Sequence, residues 1–212
     1  RNSLHWTRGV RLIRSLEYDQ HTIMENIMEL NGIDSFDADI TYANGGFYKK
    51  LPQPKMKFDI DPQTEDTVQA SSVDLPVEDG SLSSVVFDPP FLTYVKSGRN
   101  GNGNMVMAKR FGGYWAYNEL EEHYKDTLKE CARVLNKKGI MVFKCQDIIH
   151  NHRMHSTHIN VSNWMQPWFR LKDLFILGAK HRMSIPDKQG EKKRKQKHAR
   201  VYHSYFMVLE RL

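Results

Sequence analysis

The stretch VVFDPPF, residues 85–91, places a carboxylate, two prolines and an aromatic ring directly after an apolar run. The apolar residues are typical of a buried strand, and Asp88 follows where such a strand would end. Pro89 and Pro90 each fix a φ angle and have no backbone N–H to donate. This stretch therefore predicts a rigid segment that presents a carboxylate, backbone carbonyls and the ring face of Phe91.

Polar residues lie at the carboxyl ends of three other predicted strands. The segment 39–46, DITYANGG, lies at the end of the first strand, Asp59 at the end of the second and Ser71 at the end of the third, while Asp88 lies at the end of the fourth. In parallel α/β sheets, ligands bind beyond the carboxyl ends of the strands. Four such positions on one edge of a sheet predict a ligand site there more strongly than any one of them alone.

The elements that must position these residues are indicated by hydrophobic periodicity. Helical spacing alternates with short apolar runs, which favours an α/β fold with a mostly parallel sheet. No internal repeat and no second core-sized segment is evident, so we expect a single domain over residues 1–212. The predicted strands are 36–40, 55–61, 67–73, 83–88, a fully apolar 139–145, 171–180 and 201–210; the predicted helices are 19–31, 117–136 and 161–169.

Composition and charge narrow the range of functions. The formal net charge of +6 suggests a polyanionic partner, and residues 188–200 are strongly basic. No apolar run is long enough to span a membrane, so we expect no membrane partner and a cytoplasmic location. Cys131 and Cys145 are too few for a disulfide framework and lie in apolar patterns, which predicts buried free thiols in a reducing compartment.

The order of these motifs resembles that of class I S-adenosylmethionine-dependent methyltransferases. Within them it is similar to the short phage and bacterial enzymes that methylate the N6 amine of adenine in DNA. The most specific part is LPVEDGSLSSVVFDPPF, residues 75–91, and the closing HARVYHSYFMVLE, residues 198–210, resembles their last strand. The resemblance covers about residues 19–212. It implies a Rossmann-like, mostly parallel seven-stranded sheet with an antiparallel last strand and helices on both faces.

The resemblance also implies roles for residues 88–91, which we call the DPPF segment. Asp88 accepts one hydrogen of the target amine, and the backbone carbonyl of Pro89 accepts the other. Pro90 keeps the segment stiff, and Phe91 stacks on a target base that has been flipped out of the duplex. No covalent intermediate is required, so neither cysteine is assigned as a nucleophile.

The cofactor implied by the resemblance is S-adenosyl-L-methionine. The segment DITYANGG departs from the family's usual acid-x-Gly-x-Gly-x-Gly turn, although its glycines would let the chain pass close to a cofactor. Asp59 lies 20 positions after Asp39 and suits the ribose hydroxyls, with Asp61 as the alternative. Ser71 stands where many relatives place an acid beside the adenine amine. The implied cofactor-binding residues are Asp39, Thr41, Gly45, Gly46, Asp59 and Ser71.

Two insertions, residues 92–115 and 186–200, are the expected contacts with nucleic acid. Both are basic, and the first follows the DPPF segment directly. The partner is expected to be DNA, with RNA possible. The four histidines in HNHRMHSTH, residues 150–158, match no familiar zinc spacing, so we expect a polar loop and no metal. The candidate nucleic-acid contacts are Lys96, Arg99, Lys109, Arg110, Lys192, Lys193 and Arg194.

Other targets remain open at this level. The same chemistry could act on adenine in RNA, on cytosine N4 or on guanine N2, although an acid before Pro-Pro favours adenine. A non-catalytic relative that binds nucleic acid is the alternative from a different class. The irregular glycine turn is compatible with it, whereas the intact FDPPF argues against it.

Overall fold

The computed structural model describes residues 12–93, 113–180 and 196–212. The centres of both predicted insertions therefore lie outside the described residues. So do all seven candidate nucleic-acid contacts, namely Lys96, Arg99, Lys109, Arg110, Lys192, Lys193 and Arg194.

In the described part of the chain, the main sheet has eight strands. Its strands and those of a separate hairpin are β1 Leu16–Glu17, β2 Ala38–Asp39, β3 Met56–Asp59, β4 Val68–Gln69, β5 Leu82–Phe87, β6 Leu135–Cys145, β7 Ile148–His150, β8 Arg153–His155, β9 Phe169–Gly178 and β10 His203–Arg211. The order in the main sheet is β1-β9-β10-β6-β5-β2-β3-β4, and β7 pairs only with β8. Every pairing in the main sheet is parallel except those of β10, which runs antiparallel to both β6 and β9.

This arrangement confirms the α/β class, the mostly parallel sheet and the antiparallel last strand. The predicted number of seven strands was wrong by one, because β1 adds an eighth strand beside β9. Leu16 pairs with Ile176 and Glu17 with Leu177. A strand of two residues is too short to show the alternation of apolar and polar residues by which strands are predicted.

Three α-helices lie within the described residues: α1 Gln20–Asn31, α2 Tyr117–Val134 and α3 Thr157–Trp164. Helix α1 begins after Asp19, whose side chain accepts the Thr22 N–H at 3.3 Å, and it ends at Gly32, which has a φ of 63°. The predicted boundaries of the other two helices were wrong. Helix α2 ends at Val134 because Leu135 already belongs to β6. Helix α3 begins four residues earlier than predicted, and it ends at Trp164 because the chain enters β9 at Phe169.

Helices cover both faces of the sheet, as expected from the resemblance. On β5, Val85 and Phe87 belong to the core cluster that includes residues of α2, whereas Val86 belongs to the cluster that includes residues of α1. β6 and β10 divide their buried side chains between the same two clusters. Because successive residues of a strand point to opposite faces, the central strands read as continuous apolar runs.

Aromatic rings form the centre of the α2 face. The Phe143 ring lies 5.0 Å from the Phe87 ring and 5.1 Å from the Tyr124 ring, in edge-to-face arrangements that aromatic pairs prefer. All three side chains are fully buried. Phe87 directly precedes Asp88, so this cluster fixes the base of the DPPF segment.

Both cysteines are buried free thiols, as predicted. Burial raises the pKa of the Cys131 thiol well above its ordinary value, and the pKa of the Cys145 thiol rises for the same reason. Within the described part of the chain, no helix is both long enough and apolar enough to cross a membrane.

We expect Phe143→Ala to lower the free energy of unfolding by roughly 3–5 kcal/mol, because it removes a buried ring and leaves a cavity between Phe87 and Tyr124. Urea denaturation of the wild type and the variant measures this. Leu171→Ala, at a position that is 40% exposed, is the control and should change stability by about 0.5 kcal/mol or less. Equal effects of the two substitutions would contradict the described core.

Candidate active site

The carboxylates predicted at strand ends do converge on one edge of the sheet. β2 lies between β3 and β5 and runs parallel to both. Asp39 and Asp59 are therefore the last residues of neighbouring strands, and Asp88 follows the last residue of the third. The three are close enough that the charges of Asp59 and Asp88 raise the pKa of Asp39.

Asp39 is buried beneath the loop that follows it. Its Oδ1 accepts the backbone N–H of Thr41 at 2.9 Å, and its Oδ2 accepts the hydroxyl of Tyr48 at 2.7 Å. Burial raises the pKa of Asp39 to about 7, although these two donors act in the opposite direction. Asp39 therefore organises residues 39–48 from inside, and only 2% of its surface is exposed.

The hydroxyl of Thr41 connects this loop to the DPPF segment. Thr41 Oγ1 accepts the backbone N–H of Asp88 at 2.7 Å. The Thr41 backbone N–H is itself held by Asp39. One threonine thus joins the predicted cofactor loop to the predicted catalytic segment, and it fixes where the backbone leaves β5.

Asp59 holds the same loop from the other side. Its Oδ2 accepts the N–H of Ala43 at 2.8 Å, and its Oδ1 accepts the N–H of Asp61 at 2.9 Å. Asp59 is half-buried and Asp61 is exposed. Each Asp59 oxygen keeps a lone pair that could accept a hydroxyl, so the structure allows both the ribose role and a structural one.

The glycine turn is tight for a steric reason. Gly45 has a φ of 69°, and a Cβ built on it would lie 2.5 Å from the hydroxyl oxygen of Tyr42. Tyr42 cannot easily move away, because its hydroxyl donates to Gln53 Oε1 at 2.6 Å. Gly46 then begins a single turn of 3-10 helix, Gly46–Tyr48, which is all that forms before β3.

Ser71 lies at the same edge, in the turn after β4. The backbone N–H of Ala70 donates to the Asp59 carbonyl at 3.0 Å, which places Ser71 beside the end of β3. Its hydroxyl makes one long contact, 3.5 Å, with the N–H of Val73. The hydroxyl therefore keeps hydrogen-bonding capacity that a ligand could use, and its contact with a cofactor stays a prediction.

Lys144 pairs with the carboxylate of Asp88, and the sequence did not reveal this. Its Nζ lies 3.1 Å from Asp88 Oδ2, and it lies over the rings of Phe47 at 4.8 Å and Phe206 at 5.3 Å. The prediction that residues 139–145 are fully apolar was wrong at this position. A lysine in an otherwise apolar strand was the available signal, since a buried lysine needs a charged or aromatic partner.

The rest of the DPPF segment is held by α2. The hydroxyl of the buried Tyr124 donates to the carbonyl of Pro90 at 3.2 Å. No donor from the described residues reaches the Pro89 carbonyl, which is the acceptor that the resemblance assigns to a substrate amine. The Phe91 ring is half-buried and borders a cavity.

That cavity has a volume of about 500 Å³ and lies beside the DPPF segment. Phe91 and Lys144 line one part of it, and residues from the end of β9 and the start of β10 line another. His21, at the start of α1, also lines it, and the buried Nε2 of His21 has no hydrogen-bond partner within the described structure. The cavity is large enough for a nucleobase.

A hydrogen-bond network lies next to this cavity. Asp147 accepts His158 Nδ1 at 2.7 Å and the Tyr205 hydroxyl at 3.2 Å, and Tyr205 bonds in turn to His203 Nε2 at 2.9 Å. Burial and the Asp147 carboxylate raise the pKa of Tyr205 to about 12, so its hydroxyl remains protonated and donates to Asp147. In this arrangement the His203 Nε2 N–H donates to the Tyr205 oxygen.

The histidine-rich segment is not the polar loop that was predicted. Residues 148–155 form the β7–β8 hairpin, and His158 belongs to α3, where it bonds to Asp147. His155 stacks on Tyr117 with ring centroids 3.8 Å apart. Among the residues that the structure describes, no group of three or more His, Cys, Asp or Glu side chains is placed to hold a metal ion.

Two solved structures of methyltransferases have this architecture, and the first is described as S-adenosylmethionine-dependent. One from Methanosarcina mazei aligns with a TM-score of 0.50 at 9% identity, over 88% of this chain and 97% of that one. The N-methyltransferase NodS from Bradyrhizobium japonicum aligns with a TM-score of 0.51 at 11% identity, over 91% and 94%. The chain therefore has the Rossmann-like fold of these methyltransferases.

Other similarities are weaker. TrmN from Thermus thermophilus aligns over 91% of this chain with a TM-score of 0.48 and 12% identity. The chain spans about half the length of that protein, 49%, and about half, 51%, of TTHA0409 from the same organism. No protein-family model matches the sequence. No curated protein matches it either.

We expect Asp39→Asn to remove a pH-dependent part of the stability. The folded-state pKa of Asp39, about 7, is above the ordinary 3.8, so its favourable contribution is complete below about pH 4 and is lost as the pH rises through 7. Between pH 5 and pH 8 the variant should therefore gain on the order of 3 kcal/mol relative to the wild type. Urea denaturation at both pH values measures this.

Asp34→Asn, which changes an exposed carboxylate in the turn after α1, is the matched control and should show no such gain. A stability difference between Asp39→Asn and wild type that does not vary with pH would contradict the role of Asp39 as a buried titrating group.

Proposed function

We propose that this chain transfers a methyl group from S-adenosylmethionine to the exocyclic N6 amine of an adenine in DNA. The observation that carries the proposal is the DPPF segment at the end of β5, held at three separate points beside a cavity. Thr41 accepts the Asp88 N–H, Lys144 binds Asp88 Oδ2, and Tyr124 donates to the Pro90 carbonyl. A segment fixed in this way can hold a substrate amine in one orientation.

The chemistry explains why acceptors are needed. The lone pair of an exocyclic amine is delocalised into the ring, which makes the amine a poor nucleophile. Asp88 Oδ1 and the Pro89 carbonyl would accept its two hydrogens and direct the lone pair toward the methyl group. S-adenosylmethionine would supply the methyl group, and the C–S bond of its sulfonium would break as the N–C bond forms. The methylated amine would then lose a proton to water, which leaves a neutral methylated base and a thioether.

The acidic edge of the sheet suits the proposed cofactor. S-adenosylmethionine carries a sulfonium and an ammonium, and the half-buried Asp59 presents carboxylate oxygens at this edge. Gly45 has no room for a Cβ, so glycine is what lets the loop pass this close to Tyr42. In the proposal Asp59 binds the ribose hydroxyls, while the buried Asp39 supports the loop. The remaining proposed contacts are Thr41, Gly45, Gly46 and Ser71.

The preference for DNA rests on the resemblance and on charge. The formal net charge of +6 favours a polyanionic substrate. A base within a duplex could not reach the DPPF segment, so it would have to be flipped out. In the proposal the chain is a single domain, 1–212, and its insertions at 92–115 and 186–200 bind nucleic acid. On the same resemblance, the proposed setting is the cytoplasm of a bacterium or of a phage-infected cell.

The test is methyl transfer from labelled S-adenosylmethionine to DNA and to RNA of mixed sequence, followed by mass spectrometry of the nucleosides. N6-methyladenine in DNA alone is the expected result. Label in RNA, on cytosine or on guanine would keep the reaction class and overturn the proposed substrate. The absence of both transfer and cofactor binding would overturn the enzymatic function and favour a non-catalytic binding protein.

We expect Asp88→Ala to lower kcat by at least about 100-fold, because it removes an acceptor that orients the amine. Cofactor affinity, measured by calorimetry, should change by no more than about twofold. Asp34→Ala is the control and should leave both quantities unchanged. If Asp88→Ala abolished cofactor binding together with transfer, Asp88 would belong to the cofactor site and its assignment would fail.

Replacing Asp59 and Asp61 in turn tests which acid binds the ribose. We expect Asp59→Ala to weaken cofactor binding by roughly tenfold or more, since hydrogen bonds to a charged acceptor are strong. Asp61→Ala should weaken it by less than about threefold. The reverse order in calorimetric titrations would move the ribose contact to Asp61.

A further inference from the structure

Two exposed tyrosines, each beside a cation, lie next to the cavity that Phe91 borders. Tyr18 is 57% exposed, and Lys180 Nζ lies 5.5 Å from the centre of its ring. Tyr202 is 43% exposed, and the guanidinium carbon of Arg200 lies 5.8 Å from the centre of its ring. We call these four residues the cavity rim.

The Tyr18 ring is exposed but firmly positioned. A Cβ built on Gly178 would lie 2.7 Å from Tyr18 Cε1, so the ring rests against the backbone at the end of β9. The two preceding residues form β1, which pairs with β9. An aromatic ring held in this way can stack on a ligand with little further loss of conformational freedom.

The second pair belongs to the same surface as the first. The backbone N–H of Ala179 donates to the Tyr202 carbonyl at 2.7 Å, which ties the residues before β10 to the end of β9. Tyr18, Ala179, Lys180 and His203 all line the cavity. Tyr202 is not among the lining residues, but it immediately precedes His203 and its carbonyl bonds to Ala179, so it lies beside the cavity.

The charge at this opening is opposite to that of the acidic edge. Lys180 and Arg200 carry positive charge at the rim, and the Asp88 carboxylate deeper in the site is paired with Lys144. Asp19 is the one acid among the described residues that line the cavity, and its carboxylate caps α1. Exposed rings with adjacent cations are the combination by which proteins bind single-stranded nucleic acid, through stacked bases and neutralised phosphates.

We propose that the cavity rim binds a single strand of nucleic acid and guides one base of it into the cavity. The rings of Tyr18 and Tyr202 stack on bases that flank the target, and Lys180 and Arg200 contact the backbone phosphates. Methylation of the guided base rests on the proposed function, whereas binding of the strand does not depend on it.

The first test compares ring removal with ring retention. Fluorescence anisotropy with a labelled mixed-sequence single-stranded oligonucleotide, without cofactor, measures the Kd. We expect Tyr18→Ala combined with Tyr202→Ala to raise the Kd by at least about fivefold. Tyr18→Phe combined with Tyr202→Phe keeps both rings and should bind within about twofold of wild type. Wild-type affinity in the alanine variant would overturn the stacking role.

The second test compares two pairs of cations. Lys180→Ala combined with Arg200→Ala should reduce the slope of log K against log salt by roughly 1.4, the value for two phosphate contacts on a single strand. The control pair is Lys129→Ala with Lys137→Ala, which removes the same charge from exposed positions on α2 and at the start of β6. Equal slopes for the two double variants would overturn the phosphate contacts.

These measurements separate the rim from the proposed reaction. If the rim variants bind the strand more weakly and the wild type methylates nothing, the role of the rim is supported and the proposed function is rejected. If the rim variants bind the strand normally and the wild type methylates adenine, the role of the rim is rejected and the proposed function stands. Circular dichroism and thermal unfolding of each variant confirm that the fold is retained.

Discussion

Burying the Asp39 carboxylate removes it from water, and the two hydrogen bonds that it accepts compensate for that loss. One comes from the backbone of Thr41 and the other from the hydroxyl of Tyr48, so the loop between them must close over the end of β2. Because Thr41 also accepts the N–H of Asp88, the same closure sets the position of the DPPF segment. The proposed cofactor loop and the DPPF segment therefore share one support, so a change in the position of either would shift the other.

The DPPF segment gains its rigidity from both faces of the sheet. On one face, Tyr124 of α2 bonds to the Pro90 carbonyl and packs on the aromatic cluster below β5. On the other, Lys144 reaches Asp88 across the rings of Phe47 and Phe206. Two prolines cannot donate backbone hydrogen bonds, so side chains from distant elements provide the anchoring that a regular strand would obtain from its neighbours.

Two electrostatic regions meet at the DPPF segment. Asp59 lies on the side toward β3, which suits the proposed cationic cofactor, whereas Lys180 and Arg200 make the opening of the cavity basic, which suits a polyanion. Asp88, paired with Lys144, lies at the boundary. This separation would keep the phosphates of a substrate away from the carboxylate that is proposed to bind the cofactor.

Local sequence was sufficient for the fold class, for most strands and for the convergence of acids at one sheet edge, because apolar runs, turn residues and strand ends are properties of neighbouring residues. Contacts between residues that are far apart in the sequence decide the geometry of the site. Lys144 meets Asp88 across 56 positions, and Tyr124 meets Pro90 across 34. The cavity and its rim combine residues from α1, β6, β9 and β10. Such contacts form only when the sheet order brings distant strands together, and no local pattern encodes that order.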